Sequence, residues 1–225
     1  MGAACRGVFT SLNSEQVRDQ AISRRRLAAN ASRGSWAGLV AVSTPALLIG
    51  WLHRLFSIDV GAKAPSFLGW QTAVDIGAVV VGSFIGTALH ELAHYGVGQL
   101  FGRRAAEIRI GSGSIWSLGT VRGVNVLIGA IPSGGVVRFP DGRFDGPAGA
   151  AILLAGPLAN LALAVTGATF VLHAGIAGEI AGVFACQQLL KAIDNLMPRP
   201  PGLGIEWGSD GWQFRQRYLS SPQPA

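Results

Sequence analysis

The sequence predicts an α-helical polytopic membrane protein, with about four transmembrane helices and a small β-hairpin region between the second and the third. Three observations carry this reading. Charged residues make up 13% of the 225 and hydrophobic residues 49%, too little polar material to solvate a globule of this size. The apolar residues gather into four long runs, each reaching the roughly 20 residues that a hydrocarbon core requires. The 32 glycines suit helices packed in lipid, where small residues let backbones approach one another.

Residues 1–35 are polar, carry Arg6, Arg18, Arg24, Arg25, Arg26 and Arg33, and lack sustained apolar periodicity, so they read as an N-terminal cytoplasmic arm. No apolar run precedes Cys5, and Arg6 stands where myristoylation wants Ser or Thr, so neither a cleaved targeting peptide nor a lipid anchor is expected. The four spans cover about 36–56, 72–101, 146–173 and 176–197. The second and third exceed a minimal span, which implies tilt or extension beyond the bilayer. Between them, 106–110, 114–118, 124–128 and 135–139 are β-prone runs separated by Gly, Ser and Asn, the pattern of hairpins. Lipid does not tolerate open strand edges, so these strands must lie in water or be covered by protein. The membrane core is expected to run over 36–213, with 214–225 as a tail.

The net charge of +6 orients the chain. The basic residues are dispersed between spans without aromatic interleaving, which excludes a nucleic-acid surface. Arg103, Arg104, Arg109, Arg122, Arg138 and Arg143 lie between the second and third spans, and Arg199, Arg215 and Arg217 follow the fourth, whereas the first external loop holds Lys63. The positive-inside rule then places both termini in the cytoplasm of a multi-pass protein, expected in a bacterial inner membrane. Cys5 and Cys186 fall in the arm and in a span, so neither a disulfide nor a cysteine zinc knuckle is expected.

Chemistry enters with His90-Glu91-Leu92-Ala93-His94, inside the second span. On a helix, positions i and i+4 share a face, so His90 and His94 can offer two imidazoles to one metal. Glu91, one step round, can then act as general base on the attacking water. Ionisable clusters in lipid are costly and mark function. A catalytic zinc usually takes three protein ligands, and the candidates for the third are Asp75, Asp194, Glu206 and Asp210. Asp210-Gly211, after a Pro-rich break that can fold the chain back toward the bundle, is the best placed.

Over roughly residues 80–213 the chain resembles the site-2 protease type of intramembrane zinc metalloprotease, peptidase family M50. The likeness rests on four ordered motifs: His90–His94; Ile131-Pro132-Ser133-Gly134-Gly135-Val136, similar to the family's glycine-rich membrane-associated loop; Gly156-Pro157-Leu158-Ala159-Asn160; and Asn195-Leu196-Met197-Pro198 followed by Ser209-Asp210-Gly211. The resemblance implies one Zn2+ per chain on His90, His94 and Asp210, with Glu91 as general base. It also implies Gly134, Gly135, Asn160 and Asn195 as substrate-side residues. The connection from Pro198 to Asp210 is longer than in many relatives, so Glu206 stays open as an alternative ligand. The expected activity is hydrolysis of a peptide bond in or near a transmembrane segment of a membrane-protein substrate, as in regulated intramembrane proteolysis. The rivals are a catalytically silent scaffold that binds helices and a metal transporter.

Overall fold

Three long helices and one long hairpin account for most of the chain that the computed structural model describes, namely residues 43–44, 46–48, 70–140, 144–173, 175–201 and 208–220. Helix α1 is Trp70–Leu100, α2 is Gly146–Thr169 and α3 is Ile176–Leu196. All three are long and apolar enough to cross a membrane. With 31 residues, α1 is about 46 Å long, against about 30 Å of hydrocarbon, so it tilts or carries turns beyond the bilayer. Pro147 starts α2 where a missing N–H is harmless, and Pro198 holds Met197 extended and ends α3 at Leu196.

The first expected span, 36–56, is only touched by the described residues. Residues 43–44 and 46–48 are helical, and Ala46, fully buried, packs on Val79 of α1 and Val183 of α3. The rest of 36–56, the arm 1–35 and the loop to residue 69 lie outside the described residues.

The bundle is inside-out relative to a soluble protein. Along α1, Ile76, Val81, Ile85, Leu89 and Leu92 are exposed, while Asp75, Ser83, Thr87 and Glu91 are buried. Apolar surface faces lipid, and polar groups find partners within the bundle. The seam between α1 and α3 is polar for this reason. Gln187 Nε2 donates to Val79 O at 3.0 Å and to Ser83 Oγ at 2.6 Å, and Gln188 Nε2 donates to Gly82 O at 3.2 Å. One turn on, Lys191 Nζ donates to Ser83 O at 2.9 Å and to Thr87 Oγ1 at 3.0 Å.

Between α1 and α2 run two antiparallel strands, β1 (Glu107–Val121) and β2 (Val124–Arg138). The four β-prone runs are therefore halves of two continuous strands rather than separate hairpins. Arg122 and Gly123 both take positive φ, 51° and 83°, in the two-residue turn that matches strand twist. The register is uneven, because Glu107–Ile110 of β1 pairs both with residues 125–128 and with residues 135–138 of β2. The hairpin root thus folds onto itself, while the outer arm carrying Trp116 and Leu118 is exposed. Ala105, Ile108, Val124, Phe139 and Ile152 form the buried cluster that fixes this root to the ends of α1 and α2.

After α3 the chain turns back. A short helix, α4 (Asp210–Phe214), and a π-helical turn (Arg215–Leu219) pack against the bundle. Most of what the sequence suggested as a tail is thus structured: the Tyr218 hydroxyl donates to Phe144 O and to Gly146 O, at the start of α2.

Candidate active site

His90 and His94 stand one turn apart on the face of α1 that turns into the bundle, with relative exposures of 6% and 7%. Helix α2 meets this face through three successive turns. The Ile152 carbonyl accepts a hydrogen bond from His94 Nδ1 at 2.6 Å. Asn160 Nδ2 donates to His90 Nδ1 at 3.2 Å. Between them lies Gly156, where a Cβ would press on Nε2 of both histidines and come within 2.6 Å of His90 Cε1. Only glycine leaves that space open.

Asp210 reaches the histidines because α4 is pinned on both sides. Ser209 caps it, accepting from Trp212 N at 3.2 Å, while the same hydroxyl accepts from Arg199 N at 3.0 Å and donates to Met197 O at 2.6 Å. Gly211 fits against the Leu196 carbonyl, where a Cβ would collide. The result is a triangle of donor atoms: His90 Nε2 and His94 Nε2 are 3.0 Å apart, and Asp210 Oδ2 is 3.2 Å from the first and 3.5 Å from the second.

Glu91 is buried beside this triangle, and β2 passes over it. A Cβ on Gly135 would lie 2.5 Å from Glu91 Oε1 and 2.7 Å from the Arg109 carbonyl, so glycine is what lets the strand approach. Sequence reasoning thus found six residues that the fold brings together: His90, Glu91, His94, Gly135, Asn160 and Asp210. It also pointed to residues that stand apart. Gly134 has open space at its Cβ position, and Asn195 is half-buried with no side-chain hydrogen bond among the described residues. Of the other carboxylates, Asp194 is paired with Arg199 and Asp75 is buried elsewhere on α1, while Glu206 lies outside the described residues. Missed were the space-making role of Gly156, which its spacing of four from Asn160 on one helix could have suggested, and the Ile152 carbonyl, which no side-chain pattern announces.

A membrane helix bundle with a buried cluster of two histidines and a carboxylate, flanked by a glutamate, defines a class of membrane metallohydrolase. The sequence profile of Peptidase family M50 matches residues 47–203, more than half of the chain. The protein belongs to that family, one of membrane zinc metalloproteases. The matched span ends before Asp210, so that residue joins the site through the fold rather than through the match. No curated protein matches the chain.

The residues present fit zinc. Ligand atoms placed tetrahedrally at the usual 2.0–2.1 Å from zinc are roughly 3.3 Å from one another, and the triangle's sides bracket that spacing. Gly156 keeps the space between the nitrogens free of a side chain, and with the His94 Nδ1 proton donated to the Ile152 carbonyl, Nε2 would be free to hold the metal.

Proposed function

We propose that the protein is a zinc endopeptidase that cuts a peptide bond in or beside a transmembrane segment of another membrane protein. The observation that carries this reading is the convergence of His90 Nε2, His94 Nε2 and Asp210 Oδ2 beside buried Glu91. His90, His94 and Asp210 would hold the metal. Zinc bound there would acidify a water and polarise the scissile carbonyl. Glu91 takes the proton from the attacking water on its carboxylate and delivers it to the departing amine as the C–N bond breaks.

A substrate helix hides its carbonyls in its own hydrogen bonds, so it unwinds locally before attack. The close passage of β2 over Glu91 at Gly135 supports the root of the hairpin as the place where the extended segment lies. The arginines between α1 and α2 and after α3 support a site toward the cytoplasmic face of a bacterial inner membrane, with both termini cytoplasmic.

The test is Glu91→Gln, nearly isosteric and outside the ligand set. The purified variant should keep about one zinc per chain while cleavage of a membrane peptide falls by about 10²- to 10⁴-fold. Cleavage at the wild-type rate would remove Glu91 from the mechanism; a wild-type protein that holds no zinc would end the reading.

A further inference from the structure

Asn160 is 1% exposed, and its Nδ2 donates to His90 Nδ1 at 3.2 Å, while its Oδ1 is buried with no hydrogen-bond partner among the described residues. That arrangement dictates the histidine's tautomer. If Nδ1 accepts, the ring proton sits on Nε2, the atom that faces Asp210 Oδ2 at 3.2 Å. A metal on Nε2 needs the opposite tautomer, with the proton on Nδ1 and an acceptor to receive it. His94 already has its acceptor in the Ile152 carbonyl. His90 has none while Asn160 presents its amino group.

Turning the Asn160 amide over about its terminal torsion resolves both problems together. Oδ1 comes to face His90 Nδ1, accepts its proton, and is no longer an orphan. Nε2 then presents its lone pair into the space left by Gly156.

We propose that Asn160 is a positioning residue of the metal centre: its side-chain oxygen accepts the His90 Nδ1 proton when metal is bound, which holds the imidazole in the tautomer that presents Nε2 to the metal. This rests on the zinc reading above and gives Asn160 a task through His90, not through the substrate. The amide's two ends make the task separable, because aspartate keeps an acceptor of the same length and leucine keeps the volume without one.

The experiment measures zinc affinity of the purified full chain by competition with a chromophoric chelator, and the visible absorption of the cobalt-substituted protein. Asn160→Asp should bind zinc within a few-fold of wild type and keep the tetrahedral cobalt spectrum. Asn160→Leu and Asn160→Ala should bind about 10- to 100-fold more weakly, the range found for lost partners of ligating histidines, and should alter that spectrum. Using two apolar variants guards against one failing to fold, with helical content by circular dichroism as the check. The proposal is overturned if the folded apolar variants match wild type in affinity and spectrum, or if Asn160→Asp weakens zinc as much as they do. Were wild type itself to bind no zinc, the parent reading and this inference would both fall, an outcome separate from either of those.

Discussion

Gly156→Ala places one methyl group where the histidines converge, and its effect follows from distances. The new Cβ would lie 2.6 Å from His90 Cε1, against at least 3.4 Å for ordinary contact, and it would press on Nε2 of both rings. The rings have little freedom to withdraw, since His94 is tied to the Ile152 carbonyl and His90 to Asn160. Overpacking of this kind costs about 1–3 kcal/mol. Set against the metal-binding equilibrium, that is a zinc affinity about 5- to 150-fold weaker. The helix itself gains, because Ala is favoured over Gly in a helix interior by about 0.8–1 kcal/mol. The loss therefore belongs to the site and not to α2. Gly77→Ala is the matched control: it lies in α1, its Cβ would meet nothing within 4 Å, and it should bind zinc as wild type does. Chelator competition on the purified proteins, with peptide cleavage alongside, reads the result. Wild-type affinity and cleavage in Gly156→Ala would refute the placing of the metal between these nitrogens.

Four further substitutions separate ligand from substrate geometry. Asp210→Ala should lose both zinc and activity, while Asp194→Ala, which breaks the pair with Arg199, and Glu206→Ala should keep measurable zinc; zinc kept by Asp210→Ala and lost from Glu206→Ala would move the third ligand to Glu206. Gly135→Val should retain zinc but lower turnover by about 100-fold, because the branched side chain displaces Glu91 from beneath β2; unchanged turnover would show that the strand has room to lift.

The parts of this protein legible in its sequence are those governed by local repeats. His90, Glu91 and His94 could be placed on one helix because their spacing is the helical repeat, and three of the four expected spans, those that form α1, α2 and α3, followed from the length of apolar runs. Asp210 was different. Its position depends on Ser209 bonding Met197 and Arg199 and on Gly211 lying against Leu196, contacts across a turn whose path no periodicity encodes. The hairpin was visible as four β-prone runs, yet the double pairing of Glu107–Ile110 is a tertiary fact, since each partner satisfies the strand pattern equally. Asn160 was recognised as important from its motif, but its contact with His90 joins residues 70 apart in sequence. Gln187, Gln188 and Lys191 interrupt an apolar span. Their partners lie more than 100 residues earlier, on α1.

That polar seam bears on how the protein is made. A lysine at the centre of a helix entering lipid alone costs about 2.5–3.5 kcal/mol and less toward an end, where Lys191 lies, and α3 adds two fully buried glutamines and Glu179. Its acceptors on α1, the Val79, Gly82 and Ser83 carbonyls, are synthesised long before, so α3 settles by docking onto a helix already in place. Asp210 emerges from the ribosome only after α3. During synthesis, then, α1 carries His90, Glu91 and His94 before Asp210 has been made, and the cluster of the four can form only once α3 and α4 are in place.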